Sequence, residues 1–584
     1  MKYIRRTSKD ITDNFVGELL FDRGIIKNDP VFLENFTHPR KETNELEPSL
    51  LDNMEEGYQL LMKHLKNHSK IYLPVDSDCD GFTSASLFYN YLNDHFSDYE
   101  PNITYHIPDG KEHGLDSLLD WFPEDGTNSL IVVPDAGSND INEHHALRAR
   151  GYEILVLDHH LVSEVTDSAI IINNQSSERY ENKDLSGIGV VYKFFEYLEE
   201  KEGLPPYSQD YLDIVALGLI GDMMVMTSLE NRFILTYGLT HIKNKFFRTL
   251  LEKQDFSLKG ERTQIGIAFY IVPLINSMIR LGTQQDKEKL FLAFTHPELV
   301  YPSTKRGHKE GDTETICEQM ARICTNTKNR QNKERDKALE LLDIQIIENC
   351  LNDNKIIVLN ADELDIPKTL TGLCAMGVVS KYKKPVIIGR IDSEGYLKGS
   401  MRAPSNSPIQ NFKEFLLDSN LMDFVEGHAM AAGASLKNSN VDKLVEYANN
   451  KLKDIDFNEG FWEVDFIVNG NCSYLEELIQ QLAEGKEFWG QGCPEAMIAI
   501  ENITINTKDF SYKGPERNTV AFNFNGIEYI KFKDDDLVDL ISQYNGKINV
   551  TIVGIPQINE WGGRTTKQIQ IKGIEIKEID ALDF

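Results

Sequence analysis

Three short apolar runs in the first third of the chain, each followed by a polar loop and a helical pattern, constrain the fold most strongly. They are IYLPV (71–75), SLIVV (129–133) and EILVL (153–157), and each has the length and aliphatic composition of a buried strand. Helical patterns follow at 83–96 and 141–151. Repetition of strand, loop and helix predicts right-handed crossovers, and therefore a parallel sheet covered by helices.

The rest of the chain divides into regions of different pattern. Its 584 residues suggest three or four domains, at roughly 150 residues each. A second α/β pattern begins at KIIVLN (355–360), and the last short strands with turn signals favour a small β-barrel or sandwich. We predict five segments: an N-terminal helical segment at 1–70, an α/β domain at 71–245, a helical connecting region at 246–345, a second α/β domain at 346–455 and a β domain at 456–584.

Composition and charge exclude several classes of protein. The formal net charge of −31 argues against a protein that passively coats nucleic acid, but it leaves open an enzyme with a locally basic groove. The seven cysteines form no CxxC pair, so we expect no disulfide scaffold, no cysteine zinc site and a reducing, cytoplasmic location. The start of the chain has no secretory-signal pattern, and no run of about 18 apolar residues predicts a membrane span.

Acidic residues follow each of the three strands. Because the carboxyl ends of parallel strands open onto one edge of a sheet, we expect these loops to converge. Crowded carboxylates repel one another unless cations neutralise them, and oxygen ligands with one or two imidazoles suit Mn²⁺ or Mg²⁺. Two such ions about 4 Å apart form a hydrolytic site for phosphoesters. The residues are Asp76, Asp78 and Asp80 after 71–75, Asp135 after 129–133, Asp158, His159 and His160 after 153–157, and Asp222 at the end of ALGLIGD (216–222).

Each of these motifs alone has an ordinary alternative. The alternating D-x-D-x-D-G run also fits a solvated loop or a calcium loop, and paired histidines are common on helix faces. His160 also fits a second metal ligand or a structural imidazole. Four acidic sites on successive strand ends favour catalysis when they are taken together.

The same residues resemble a known family. VDSDCDGFTSASL (75–87), VVPDAGSND (132–140), LDHH (157–160) and LGLIGDMM (217–224) are similar to the four motifs of the DHH phosphoesterase superfamily. Other segments resemble the RecJ exonucleases within it, and these are YHIPDGKEHGL (105–115), LSGIGVVYKF (185–194), VPLINSMIRLG (272–282), GSMR (399–402), GHAMAAG (427–433), FWGQGCPEAMIAIENI (488–503) and QINEWGGRTTKQIQI (557–571).

The resemblance implies an α/β fold. A parallel-sheet DHH domain at 71–245 would face a smaller α/β DHH-associated, substrate-binding domain at 346–455. A C-terminal OB-type β-barrel at 456–584 would bind nucleic acid.

The resemblance also implies a site of two divalent ions, Mn²⁺ or Mg²⁺. Asp135 would bridge the ions, His160 would contact the scissile phosphate and Asp158 would orient the adjacent imidazole. One ion would be held by Asp80, Asp135, His159 and Asp222, and the other by Asp78, Asp135 and Asp76. The implied substrate-binding residues are Asn276, Arg280, Arg402, His428, Trp561 and Arg564. The alternative for Arg280 and for Arg402 is a salt bridge within the fold. The alternative for Trp561 is a side chain that covers the end of the barrel.

The chain departs from the family pattern at three places. Leu274 stands where the family usually has Arg, and Lys111 is the substitute for an Arg after Ile-Pro. The segment 501–584 has 10 Lys and Arg against 13 Asp and Glu, without an evident basic stripe. These departures concern DNA affinity and handling of the 5′ end rather than the metal chemistry.

The function implied by the resemblance is removal of nucleotides from the 5′ end of single-stranded DNA, in DNA recombination, repair or replication. Expected partners are single-stranded DNA, single-strand-binding protein and a helicase, with the chain a monomer away from membranes. One alternative is a DHH phosphodiesterase acting on short oligoribonucleotides or cyclic dinucleotides, but those relatives lack an OB-fold such as that expected at 488–571. The other is a non-catalytic replication scaffold derived from RecJ, although such relatives lose metal ligands.

Overall fold

A computed structural model shows the fold of the chain as two compact units. The first unit comprises Ile25–Asn329 and Glu487–Pro494, and the second comprises Met1–Gly24, Arg330–Lys486 and Glu495–Phe584. The structure describes residues 1–6, 14–27, 29–109, 113–164, 166–362, 364–404, 407, 409, 411–457, 461–561 and 564–578, with the backbone only for Trp561 and Glu578.

The first unit is built around a five-stranded sheet in which every pairing is parallel. Its strands, in spatial order, are Asn102–His106, Lys70–Pro74, Ser129–Pro134, Glu153–Asp158 and Ile170–Asn173. The parallel sheet predicted from the three apolar runs is confirmed, and two edge strands extend it. All strands end at one edge, so the loops that follow them come together there.

Helices cover this sheet and continue beyond it. Asp78 caps the helix Cys79–His95 by accepting a hydrogen bond from the backbone N–H of Gly81, and Phe82 and Phe88 bury that helix in the core. The helices of the unit are Pro30–Thr37, Lys41–Asn44, Met54–Lys66, Cys79–His95, Ile141–Ala149, Gly187–Glu202, Leu212–Gly221, Leu229–Thr240, Lys245–Lys253, Asp255–Leu258, Gln264–Tyr270, Val272–Leu281 and Gln284–Thr295. Two short antiparallel strands, Val300–Pro302 and Thr313–Thr315, precede the 33-residue helix Ile316–Glu348, which runs into the second unit.

One helical stretch has the length and hydropathy of a membrane span. It is Gln264–Leu281, with a mean hydropathy of 1.4, and half of it is buried inside the protein. Ile267, Ile271, Ile275 and Met278 belong to the core of the first unit. Core helices of globular proteins share this composition, so the stretch is weak support for a membrane span.

The second unit contains a mixed five-stranded sheet. Its strands, in spatial order, are Met422–His428, Ala431–Lys437, Tyr396–Arg402, Val386–Ile391 and Ile357–Asn360, and only the last pairing is parallel. The helices beside it are Thr371–Tyr382, Phe412–Leu417 and Val441–Lys451.

A seven-stranded sheet forms the C-terminal part of the second unit. Its strands, in spatial order, are Phe466–Asn469, Ile498–Asn506, Lys547–Trp561, Arg564–Glu578, Ile527–Lys531, Thr519–Phe524 and Ser511–Lys513. Helices Leu475–Glu484 and Asp535–Ser542 accompany them. Two 15-residue strands joined at Trp561 and Arg564 make the longest hairpin of the sheet.

Two segments of the chain depart from the predicted domain boundaries. Residues 1–24 were expected within an N-terminal helical segment at 1–70, but strand Lys2–Arg5 pairs in parallel with Phe461–Val464, and helix Phe15–Asp22 follows it. Arg23 is ion-paired with buried Asp465 at 2.8 Å. Residues 487–494, expected in the terminal β domain, belong instead to the first unit.

Candidate metal centre and active site

The Asp-x-Asp-x-Asp-Gly loop leaves the strand Lys70–Pro74 and enters a helix at once. Asp78 is the N-cap of that helix and Asp80 lies in its first turn, where the helix dipole favours negative charge. Ser186 Oγ and the backbone N–H of Gly187 donate hydrogen bonds to the two carboxylate oxygens of Asp80, at 2.9 and 2.7 Å. Asp80 is therefore fixed in one orientation although it is almost fully buried.

Asp135 occupies a strained backbone position at the end of the next strand. Its φ of 65° lies in the left-handed region, and its N–H donates to the carbonyl of Leu157 at 2.8 Å. A Cβ on Gly187 would lie 2.4 Å from Asp135 Oδ1, so only glycine lets the helix Gly187–Glu202 approach so closely. The Gly-rich stretch before the fourth motif thus sets the position of Asp135.

His159 lies between two carboxylates that come from different elements. Its Nε2 atom is 3.3 Å from Asp135 Oδ1 and 3.4 Å from Asp222 Oδ2. Asp222 ends the helix Leu212–Gly221, which reaches the site because Gly218 packs against Asp80, where a Cβ would come within 2.4 Å of Oδ1.

The predicted ligands form overlapping groups. In each group the potential ligand atoms lie within 4.8 Å of one another. The groups are Asp76, Asp78 and Asp135; Asp80, His159 and Asp222; and Asp135, Asp158, His159 and His160. The structure therefore brings together every residue of the first unit that was expected to hold an ion, and Asp135 belongs to two groups.

The electrostatics of these groups fit a bound cation. Asp76 Oδ1, Asp135 Oδ1 and His159 Nε2 are buried and have no hydrogen-bond partner, which is costly for polar atoms unless a ligand satisfies them. Burial and the charges of Asp80 and Asp78 raise the pKa of Asp222 to about 8. Burial and neighbouring carboxylates also raise the pKa of Asp135. Divalent ions would restore the ionised carboxylates, and the oxygen-rich donor set with one imidazole suits Mn²⁺ or Mg²⁺.

Asp158 and His160 form a separate pair beside these ligands. Asp158 Oδ1 lies 2.8 Å from His160 Nδ1 and accepts the backbone N–H of His159 at 2.7 Å, while Oδ2 accepts the N–H of Ser138 at 3.0 Å. The hydrogen bond to Asp158 raises the pKa of His160 to about 9. Burial alone would raise the pKa of Asp158, but the interaction with His160 holds that pKa below its ordinary value. Burial and the charge of His160 lower the pKa of His159 to about 4, so His159 is neutral and can be a ligand.

His113 is a site residue that the sequence analysis missed. Its Nδ1 atom lies 2.7 Å from Asp76 Oδ2, and about half of its side chain is exposed. It belongs to YHIPDGKEHGL (105–115), which was singled out for its Ile-Pro pattern. Its place in this segment was the available signal. Lys111, the expected substitute in that segment, lies outside the described residues.

Two predicted substrate residues lie on the helix Val272–Leu281 of the same unit. Asn276 Oδ1 is buried without a hydrogen-bond partner. Arg280 is exposed. Desolvation by the surrounding groups lowers the pKa of its guanidinium, and the charge of Asp78 raises that pKa by a smaller amount. Both residues therefore belong to the unit that carries the acidic site, and Arg280 lies within electrostatic range of it.

Four other predicted substrate residues belong to the second unit. Arg402 and His428 are both in register with Ala431, so they extend from the same face of the mixed sheet on either side of that strand. Gly372 lies beside Arg402, because a Cβ there would be 2.9 Å from Nη2. Arg564 is exposed at the tip of the long hairpin, opposite Trp561, whose side chain lies outside the described part of the chain. The roles of all these residues stay predictions.

Comparisons with known proteins agree with this geometry. A model of the DHH family, N-terminal domain, matches residues 70–219, and a model of the RecJ OB domain matches residues 472–573. The chain is 36% identical to the putative SPbeta prophage-derived single-strand DNA-specific exonuclease YorK of Bacillus subtilis (strain 168), over 99% of this chain and 98% of the relative. It is 25% identical to the single-stranded-DNA-specific exonuclease RecJ of the same organism, over 97% of this chain and 69% of the relative. The crystal structure of RecJ in complex with Mn²⁺ from Thermus thermophilus has a TM-score of 0.70 at 19% identity, over 97% of this chain and 76% of that chain.

The parallel sheet, the acidic loops at its carboxyl edge and the Asp158-His159-His160 run define a DHH-family domain. Together with the C-terminal OB domain and the full-length similarity to YorK, they place the chain more narrowly. The chain belongs to the RecJ family. The family and the fold class expected from the motifs are confirmed.

Proposed function

We propose that this protein is a metal-dependent exonuclease that hydrolyses single-stranded DNA from its 5′ end. The observation that carries the proposal is the set of three buried, unpartnered ligand atoms on Asp76, Asp135 and His159. They lie on three loops at one sheet edge, where a phosphoesterase would bind its ions. The names of two relatives, YorK as a putative single-strand DNA-specific exonuclease and RecJ as a single-stranded-DNA-specific exonuclease, support the substrate and the reaction.

The residues of the acidic site would divide between two ions. Asp80, His159 and Asp222 would hold one ion together with Asp135, whose Oδ1 lies 3.3 Å from His159 Nε2, and Asp76, Asp78 and Asp135 would hold the other. Mn²⁺ or Mg²⁺ bound there would supply Lewis-acid activation of water and positive charge for the phosphodiester oxygens.

The protein's own groups complete the chemistry. His160 would be protonated at neutral pH, because its Nδ1 atom is held by Asp158. An imidazolium with its Nδ1 engaged can donate the Nε2 proton to an oxygen of the scissile phosphate. Asp158 is itself fixed by backbone N–H groups, so it orients the ring.

Arginines on both units would bind the non-reacting part of the strand. Arg280 suits bidentate contact with a backbone phosphate, and Arg402 with His428 would bind further phosphates. The OB domain would bind longer strands through aromatic stacking and through groups such as Arg564. Direction of hydrolysis, single-strand-binding protein, a helicase and the monomeric state come from the family resemblance and stay part of the proposal.

The two alternatives fit the chain less well. Relatives that act on short oligoribonucleotides lack a C-terminal OB-fold, whereas the RecJ OB domain model matches residues 472–573. A non-catalytic scaffold would not need to retain every acidic ligand position, and all of them are filled here.

Replacement of Asp135 tests the proposal. Asp135→Asn removes a charge from the residue that both proposed ions would share. We therefore expect hydrolysis in Mn²⁺ to fall by more than about tenfold, since transition-state losses there are worth several kcal/mol. Calorimetric titration with Mn²⁺ should show weaker binding by the same variant. Asp120→Asn, at an exposed aspartate, is the matched control and should behave as wild type. Retention of more than about a tenth of the wild-type rate by Asp135→Asn would contradict the two-ion assignment.

A further inference from the structure

A cavity lies in the first unit, apart from the acidic site. It has a volume of about 380 Å³ and is lined by the helix Leu229–Thr240, by residues near the start of the helix Gln264–Tyr270 and by Glu487. No metal-centre residue lines it. Its polar lining residues include Arg232, Thr236, Arg262, Thr263 and Gln264.

Arg232 brings a buried positive charge to this cavity. The residue is only 1% exposed, and its Nε and Nη1 atoms donate to the backbone carbonyls of Phe36 and Glu487, at 3.3 and 2.9 Å. Its Nη2 atom is buried and has no hydrogen-bond partner. The rings of Phe36 and Phe488 lie 5.1 and 4.9 Å from the guanidinium carbon. Carbonyls and rings stabilise a cation only partly, so a buried guanidinium in this setting favours an anion.

Gln264 provides a second, independent sign of a missing ligand. It is 5% exposed, and neither its amide oxygen nor its amide nitrogen has a hydrogen-bond partner. Beside it, Thr263 Oγ1 accepts the N–H of Gly266 at 3.1 Å, a bond that uses a lone pair and not the hydroxyl hydrogen. The amide nitrogen of Gln264 and the hydroxyl of Thr263 are donors of the kind that bind phosphate oxygens.

The charge and the walls of the cavity indicate what the anion is attached to. The cavity is lined by two residues with guanidinium groups, Arg232 and Arg262, and by one with a carboxylate, Glu487, in a chain whose net charge is −31. Guanidinium groups bind phosphate bidentately. Leu235 and Leu239, one helical turn apart, form an apolar wall that suits a sugar or a base. The volume falls within the roughly 300–1,000 Å³ range of small-molecule sites.

We propose that this cavity is a second binding site, which takes the phosphoryl group of a nucleotide. The nucleotide is either part of a DNA strand or a free mononucleotide such as the product of hydrolysis. The site lies outside the proposed catalytic machinery, so a test of the site does not depend on the proposed function.

Calorimetric titration of the full-length chain tests this site. EDTA keeps cations away from the acidic centre, so that phosphate cannot bind there through a metal, and the ligands are inorganic phosphate, thymidine 5′-monophosphate and a 12-residue oligothymidylate. The variants are Arg262→Ala and Gln264→Leu, with exposed Arg306→Ala as the control. Arg232 is left intact because its bonds to the carbonyls of Phe36 and Glu487 stabilise the fold.

We expect the Kd of at least one nucleotide ligand to be at least tenfold lower for wild type than for either Arg262→Ala or Gln264→Leu. The Kd for Arg306→Ala should equal that for wild type. If the mononucleotide shows this loss and the oligonucleotide does not, the source is a free nucleotide. If the oligonucleotide shows the loss, the source is a DNA strand. If no ligand binds wild type, or if both variants bind every ligand as tightly as wild type, the cavity holds only water and the proposal is overturned. Circular dichroism confirms that the variants are folded.

Discussion

Replacement of Gly187 by alanine tests whether the position of Asp135 controls activity. The added Cβ would lie 2.4 Å from Asp135 Oδ1 and 2.6 Å from Asp135 Cα, whereas ordinary van der Waals contact begins near 3.4 Å. The Asp135 side chain or its backbone must therefore move by about 1 Å. Asp135 is already held at a φ of 65°, so it has little freedom to yield.

The size of the effect follows from that displacement. A misplacement of about 1 Å at a reacting centre costs on the order of 100-fold in rate, which equals roughly 2.7 kcal/mol of transition-state free energy. The effect on folding should be smaller, because overpacking costs about 1–3 kcal/mol and alanine regains up to about 1 kcal/mol of helix propensity. Gly187→Ala should therefore fold and lose most of its activity.

The assay compares Gly187→Ala with Gly189→Ala on the same helix. A Cβ at Gly189 would meet the side-chain end of Leu185 at 2.9 Å, and that side chain can turn away. Both variants replace glycine by alanine in the first turn of the helix, so the overpacking at Gly187 should separate their free energies of unfolding by only about 1–3 kcal/mol. Cleavage of an end-labelled single strand in Mn²⁺ should fall about 100-fold for Gly187→Ala and less than about threefold for Gly189→Ala. Equal activity of the two variants, both folded, would refute the claim that close packing at Gly187 sets the catalytic geometry.

Three further predictions concern binding, stability and pH. Arg280→Ala should raise KM for single-stranded DNA about tenfold or more with little change in kcat, because a guanidinium on a non-reacting phosphate contributes uniform binding; a fall in kcat alone would contradict this role. Lys193→Met should lower the free energy of unfolding by about 3 kcal/mol in denaturant titration, because Lys193 pairs with two buried carboxylates, Glu196 at 2.6 Å and Glu230 at 3.4 Å, and Lys41 would remain beside Glu196 only. A loss below about 1 kcal/mol would contradict this. In metal-free protein, Asp158 raises the pKa of His160 to about 9 in the folded state, so His160 should stabilise the protein relative to His160→Gln. This stabilisation should be full below the unfolded pKa of about 6.5 and should disappear as the pH rises through about 9. A difference in Tm between the two proteins that does not change with pH would contradict this.

The sequence was most informative where local pattern and topology agree. The runs at 71–75, 129–133 and 153–157 are apolar and bounded by loops, so they could be identified as strands of a parallel sheet. That topology alone brings the following acidic residues to one edge. The clustering of Asp76, Asp135 and their neighbours could therefore be predicted without coordinates.

The parts that were not predicted depend on long-range contacts or weak local signals. The edge strands Asn102–His106 and Ile170–Asn173 are five and four residues long and partly exposed, so each gives a weaker local signal than the buried strands between them. The pairing of Lys2–Arg5 with Phe461–Val464 joins residues about 460 positions apart, and no local feature specifies it. His113 contacts Asp76 through a loop geometry that residue spacing does not encode.

The direction of digestion tests the central claim most directly. A single-stranded 40-mer labelled at its 5′ end, and the same strand labelled at its 3′ end, are digested in Mn²⁺ by wild type and by Asp135→Asn. If the acidic site is a two-ion centre that removes nucleotides from the 5′ end, wild type should release the 5′ label at once as a very short product. It should shorten the 3′-labelled strand progressively, and Asp135→Asn should do neither. Early release of the 3′ label, cleavage within the strand, or equal digestion by Asp135→Asn would contradict the account.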